Sequence, residues 1–198
     1  EMEFWTQDEF QAFLECVADK PISYYAFEML YWTGIREGEL LALTSADFNF
    51  EKKTLRINKS YQRLEGKDVI TDPKTPKSNR TIVMPDFLAV EMENFKSSLY
   101  GIRDDDRIFT ISKSYLHHKM DRGAKLAGVK RIRIHRLRHA HISLLINLGF
   151  SALAIGERVG HEAVDITYHY AHLFPTVQTD MAAQLETEME ALVNVKKE

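Results

Sequence analysis

Three short motifs, far apart in the chain, each place charged or phenolic side chains beside an apolar helical pattern. TGIREGELLAL (33–43) carries Arg36, IHRLRHAH (134–141) carries His135 and Arg138, and VGHEAVDITYHY (159–170) carries His161 and Tyr170. The cations belong at helix ends or on helix surfaces. Their neighbours Leu40, Leu41, Ile142 and Leu145 belong in a core. A fold that uses these cations together must bring several helix ends to one place.

The rest of the chain predicts a scaffold of that kind. Thr6 and Glu9 make a capping-box pattern that opens a helix to about residue 19. Further helices are expected over 23–32 and, after a break at Gly34, over 36–43. Short alternating segments at Leu55/Ile57, Val69/Thr71 and Ile82/Met84, with turn residues at 65–68 and Pro73 and Pro76 in a loop, predict a three-stranded antiparallel meander. A helix over 86–99, a loop over 101–106 and a short strand at Ile108 and Phe109 come next. Helices are then predicted over 112–127, 135–148, 153–159, 166–171 and 176–193. The expected class is α+β: mostly helical, with one small three-stranded antiparallel sheet.

At 198 residues the chain suits one domain, 1–198. The single cysteine, Cys16, rules out an internal disulfide, and its apolar neighbours predict a buried thiol. No apolar run is long enough to span a bilayer and no signal-peptide pattern opens the chain, so the expected setting is cytoplasmic, without a membrane partner. Glu1 stands where an initiator Met would, which predicts an excised C-terminal fragment. A net charge of −3 and a pI near 6.3 argue against nucleic acid if taken alone. The distribution reverses that reading. Between Lys113 and Arg138 there are nine basic residues and one acid, Asp121. This run leads directly into the His-x-x-Arg motif, which favours a phosphate-facing surface containing Lys119, Arg122, Lys130, Arg131 and Arg133.

Taken singly, the site residues have ordinary readings. Arg36 would be a helix-start arginine paired with Glu39, Lys74 and Lys77 loop cations, His161 a structural histidine, and Tyr170 a core or interface tyrosine. Together they suit different chemistry. Breaking a phosphodiester needs an in-line nucleophile, donors for the non-bridging oxygens and an acid for the departing 5′ oxygen. Arginine supplies the donors, because its planar fork binds two phosphate oxygens and stays charged. His135 and Arg138, three apart on a helix, share a face.

The whole set resembles the catalytic domain of tyrosine recombinases, the phage-integrase family, and especially the integrases of conjugative transposons and prophages. The resemblance runs from about Phe4 to Leu192. It implies that fold, with Arg36 and Arg138 as phosphate clamps that serve cleavage more than folding. It implies Glu39 as the carboxylate orienting Arg36, His135 as donor or acid–base group, His161 as donor and Tyr170 as nucleophile. Lys74 is implied as the acid for the 5′ oxygen, with Lys77 as its competitor or a contact to the DNA backbone. The implied function is site-specific DNA cleavage and rejoining through a 3′-phosphotyrosyl link, for integration or excision, with no metal, cofactor or ATP. The implied partners are double-stranded DNA, other protomers (a tetramer on DNA, a monomer or weak association without it), and host- or element-encoded accessory proteins. DNA-binding domains are expected upstream of Glu1. Met181, Leu185, Met189 and Leu192 form a stripe on the 176–193 helix, which packs either on its own domain or on a neighbouring protomer. Two other readings compete. One is a metal-dependent nuclease built on His117, His118, His139, His141 and Asp104 to Asp106. The other is a non-catalytic DNA-binding relative.

Overall fold

The structure, a computed structural model, describes residues 4–73, 75–161, 163–173 and 185–187. Helix α1 (Gln7–Glu15) opens with the expected capping box: Thr6 Oγ1 accepts from Glu9 N, and Glu9 Oε2 accepts from Thr6 N. It stops before residue 19. Pro21 forces extended backbone on Lys20, and the chain must leave the helix to reach it. The same proline occupies the first position of α2 (Pro21–Thr33), so this helix starts earlier than expected. After Gly34 comes the short α3 (Glu37–Ala42), with Arg36 as its N-cap rather than its first turn. Cys16 caps the end of α1 and is half-buried, not buried.

The sheet differs from the expected meander. Strands β1 (Phe48–Asn49) and β2 (Thr54–Ile57) pair antiparallel, and β2 then pairs directly with β5 (Arg80–Val83), with Leu55 opposite Ile82. The segment around Val69 lies outside this sheet. It forms β4 (Lys67–Thr71), which folds back on β3 (Ser60–Leu64) as a separate hairpin. Its two-residue turn, Glu65-Gly66, has positive φ at both positions, the geometry that matches the twist of paired strands. β3 was invisible to alternation because only Tyr61 among its five residues is buried.

Helix α4 (Asp86–Ser98) follows. Ile108 and Phe109 make no strand. Arg107 forms an isolated bridge with Thr44, Ile108 N donates to Leu43 O, and the two apolar side chains fill the core. α5 (Lys113–Ala127), α6 (Arg136–Asn147) and α7 (Ala152–Val159) lie close to their expected bounds. α8 (Ala163–Tyr170) begins earlier than expected. The 176–193 segment falls outside the described residues except for 185–187, which are helical, with Leu185 exposed. Among the described residues no helix is long and apolar enough to cross a membrane.

Two cores form. The larger joins α1 to α5, the three-stranded sheet and the inner face of α6, and is rich in aromatic contacts: Phe10 stacks on Tyr31 at 3.8 Å, and Phe13 meets Trp5 and Phe27 at 4.7 and 4.8 Å. The smaller lies between α6, α7 and α8 and consists of Ile142, Ile146, Ile155, Val159, Ile166 and Tyr170.

The α1–α5 contact depends on Gly123. A Cβ there would lie 2.5 Å from the Phe13 ring and 2.7 Å from Val17 Cγ1. The Phe13 ring is held by its aromatic neighbours and has little room to yield. Gly123→Val should therefore destabilise the domain by about 1–3 kcal/mol through overpacking. Thermal melting checks this, and an unchanged melting temperature would show that α1 and α5 can slide apart freely.

Candidate active site

Arg36 caps α3, and the Glu39 carboxylate one turn later binds it twice. Oε2 accepts from Arg36 N and Oε1 from Arg36 Nη1, both at 2.8 Å. Glu39 is buried and has a second cationic partner that the sequence did not announce. Arg80, on β5, lays its fork across both carboxylate oxygens at 3.1 and 3.0 Å. Burial alone would raise the Glu39 carboxyl, but the Arg80 fork and Arg36 outweigh it and hold the group below its usual range. Arg80 reaches two further segments: Nη1 donates to Ser78 O at 2.9 Å, and Nε donates to Arg158 O at 2.8 Å. One buried ion pair thus ties α3, the β4–β5 connection and the end of α7 together. The Arg36 side chain remains 40% exposed, with Nη1 also 3.4 Å from Ser78 Oγ and Nη2 3.5 Å from Gly160 O.

Arg138 is buried on α6. Nη1 donates to Gly34 O at 2.6 Å and Nη2 to Val159 O, so its guanidinium staples the segment before Arg36 to the turn before His161. The expectation that it serves cleavage more than folding needs correction, since two buried carbonyls depend on it. Guanidinium has five N–H donors, so others remain for a phosphate. Burial, then the nearby Arg36, pulls Arg138 down to about 9, still charged at neutral pH. His135 is the N-cap of α6 and is exposed; burial of part of its ring, then Arg136 and Arg133, lower its pKa.

His161 follows the C-cap Gly160, whose φ is +70°. A Cβ on Gly160 would lie 2.9 Å from Lys77 O and 3.0 Å from Arg80 Nη1, so the residue must be glycine for the turn to approach the β4–β5 connection. Burial, Arg138 and Arg36 push His161 down to about 4, which leaves it neutral and able to donate through one ring N–H. Tyr170, at the end of α8, is 3% exposed, while Tyr168 is 82% exposed. The two tyrosines thus face different sides of the helix. Burial pushes the Tyr170 phenol up to about 12 against the opposing pull of Arg138 and Arg136. Its hydroxyl is hydrogen-bonded to His139 Nδ1.

Arg36, His135, Arg138, His161 and Tyr170 all line one cleft of about 480 Å³, so five of the six expected catalytic residues converge. Lys74, the sixth, lies outside the described residues. Lys77 lines an adjoining recess with Arg36 and His161. Of the expected DNA-facing residues, Lys119 and Arg122 face Asp19 at 3.6 and 3.0 Å, and Arg131 faces Asp121 at 2.7 Å; Arg122, Lys130, Arg131 and Arg133 are all exposed. Lys113, at the start of α5, lines the cleft itself, although it was not among them. The nuclease alternative finds no support in geometry. Among the described residues no three His, Cys, Asp or Glu side chains form a metal-holding group. His139 pairs with Tyr170, His141 accepts from Arg158 Nε at 3.1 Å, and His117 faces Glu37 at 3.5 Å. Sequence reasoning missed Arg80 and weighed His139 only as a metal ligand. Arg80 carries no local signal, but His139 directly follows the His-x-x-Arg motif, on the same helical face as His135.

The comparisons bear on the family and the fold. The model of the phage integrase family matches residues 3–176. The ICEBs1 integrase of Bacillus subtilis is 32% identical over 93% of this chain and 54% of its own length. The chain spans about half the length of the curated relatives it matches. Among solved structures, the Tn1549 transposon integrase in complex with a circular intermediate DNA superposes with a TM-score of 0.75 at 20% identity, over 97% of this chain and 66% of that one. The catalytic domain of bacteriophage HP1 integrase gives 0.66 at 19% identity, over 93% of this chain and 95% of that one. These two likenesses establish the fold, that of tyrosine recombinase catalytic domains. With its motifs, its fold and the family match over nearly its whole length in accord, this chain belongs to the phage integrase family.

Proposed function

We propose that this chain is the catalytic domain of a site-specific DNA recombinase that cuts and rejoins DNA for integration or excision. The observation that carries the reading is the convergence of two arginines, two histidines and a buried tyrosine hydroxyl on one cleft. Tyr170 Oη attacks the scissile phosphorus, and the 5′ oxygen leaves with a proton from Lys74. Arg36, Arg138, His135 and His161 stabilise charge on the non-bridging oxygens. The 5′ hydroxyl of a partner strand then attacks the 3′-phosphotyrosyl bond, which retains the energy of the broken linkage. Neither ATP nor a catalytic metal enters this scheme. Lys77, Lys113, Lys119, Arg122, Lys130, Arg131 and Arg133 meet the DNA backbone around the cleft, and Lys119, Arg122 and Arg131 exchange their carboxylate partners for phosphates as they do so.

The names of the relatives support a mobile-element setting, bacterial or phage-borne. The enzyme acts in the cytoplasm. It works as a tetramer on two DNA sites, assembling from monomers or weak associations, with accessory proteins contributed by host or element.

The direct test uses the full-length protein and nicked suicide duplexes spanning the junctions of the DNA element that encodes it. Wild-type protein should form a covalent protein–DNA band, in excess EDTA as well as without it. Tyr170→Phe should form none while binding DNA normally. A band lost in Tyr168→Phe and kept in Tyr170→Phe would remove Tyr170 from the mechanism.

The two clamp arginines should separate by stability. Arg36→Ala and Arg138→Ala should each slow cleavage by about two to three orders of magnitude, the effect of losing one strong transition-state donor. Only Arg138→Ala also strands two buried carbonyls, at about 1–3 kcal/mol for each group left unsatisfied. Its melting temperature should therefore fall well below that of Arg36→Ala. Equal melting temperatures would mean that Arg138 does not staple the site.

A further inference from the structure

The last turn of α7 is fixed by an arginine that does not line the cleft. Arg158, three residues before His161, is half-buried and sends its fork to three other elements. Nε donates to His141 Nε2 on α6 at 3.1 Å, Nη1 to Val83 O at the end of β5 at 3.0 Å, and Nη2 to Trp32 O in the last turn of α2 at 3.2 Å. Its own carbonyl accepts from Arg80 Nε at 2.8 Å. Side chain and backbone are thus both tied down, and the three side-chain contacts fall on three separate elements.

The imidazole is a ready acceptor in this set. His141 is buried, and burial first, then Arg158 and Arg138, push it down to about 3. It stays neutral and keeps the Nε2 lone pair for Arg158. Its ring is also wedged against Gly34, where a Cβ would lie 2.5 Å from His141 Cδ2. Gly34 O is the carbonyl that Arg138 holds, so the acceptor that Arg158 reaches is fixed in the same frame as the clamp.

We infer that Arg158 is the positioning residue that sets the place of His161 relative to the two clamp arginines, an assignment that rests on the cleft being where DNA is cut. Its partners are two carbonyls and an uncharged imidazole, while burial, then the nearby Arg80, disfavour its charge. As a space-filler such a guanidinium is costly, and an apolar side chain of similar volume would serve better. What the fork adds is direction, because its planar N–H donors meet three fixed acceptors in one orientation. The turn after Arg158 is anchored unevenly. Val159 O is held by Arg138 itself, and Gly160 packs against Lys77 O and Arg80 Nη1. His161 is joined back to α7, its N donating to Gly156 O at 2.9 Å. A shift in the last turn of α7 therefore falls on the His161 ring before it reaches Arg36 or Arg138.

The test is a double-mutant cycle on the rate of covalent capture, read on the nicked suicide duplex at saturating DNA and well below the melting temperature of every variant. Arg158→Met keeps the stem and loses the fork. It should bind DNA normally and capture about 10²-fold more slowly, the cost of displacing a participating group by about 1 Å. His161→Ala should slow capture by itself, and adding Arg158→Met to it should cost less than about threefold more, because the two changes remove one effect. Loss of stability alone would instead multiply the two penalties. Arg158→Lys keeps the charge without the fork and should lose nearly as much as Arg158→Met. The proposal is overturned by a double variant slowed by the full product of the single losses, or by wild-type rates in Arg158→Met, Arg158→Lys or His161→Ala. If Arg158→Met does not fold, Arg158→Lys takes its place in the cycle; if neither folds, Arg158 builds the core and the proposal fails. No covalent band from the wild-type protein would overturn the cleavage reading itself, a result distinct from all of these.

Discussion

The site is organised around one buried carboxylate. Glu39 would be costly inside the protein on its own, and the guanidinium of Arg80 makes it tolerable by meeting both of its oxygens. Breaking a buried pair of this kind from one side costs about 3–5 kcal/mol, because the other charge is left unpaired. That cost makes the arrangement specific. Arg80 can satisfy Glu39, Ser78 O and Arg158 O together only if α3, the β4–β5 connection and the end of α7 are all in place. Arg36 draws on the same carboxylate and so inherits its orientation from contacts made well outside the cleft.

The cations that gather here also shape one another. Burial weighs most on the two neighbouring histidines, and nearby cations add to it: Arg136, His135 and Arg138 at His139, and Arg138 and Arg36 at His161. His139 and His161 are held neutral as a result. The uncharged imidazoles keep one N–H to donate and one lone pair to accept, whereas imidazolium could only donate. An empty cleft of this kind carries a surplus of positive charge that an incoming anion relieves. Charge surplus and hydrogen-bond versatility both follow from packing two arginines beside histidines under an apolar roof.

The chain disclosed its helices and its cations more readily than its sheet. The capping box at Thr6 and Glu9, the break at Gly34 and the helix start at Ser112 are local signals, and each appears where the residues place it. Five site residues were legible because they sit in compact motifs whose spacing survives in the sequence. The β3–β4 hairpin was not, because its faces are mostly solvated and leave little apolar alternation. Arg80 was hidden for a different reason: its partner Glu39 is 41 residues away, and no local pattern signals a pairing over that distance. The basic run between Lys113 and Arg138 was readable as charge, but the pairing of three of its members with Asp19 and Asp121 was not.

Tyr170 belongs to the smaller of the two cores, a cluster of six buried residues shared by α6, α7 and α8. The free energy for opening such a unit is set by its own contacts rather than by those of the larger core. α6 and the end of α7 are also tied to the larger core, through Leu137 and Ala140 and through the Arg80 contact to Arg158 O, so the part of this unit least bound to the rest is α8. The tyrosine rides on α8, and the arginines are braced by Glu39 and by the carbonyls of Gly34 and Val159. Local breathing of α8 thus changes the distance between nucleophile and clamp without breaking those contacts. In mechanical terms the domain is an anvil with a detachable hammer, and whatever stiffens the α7–α8 layer governs how often the two meet.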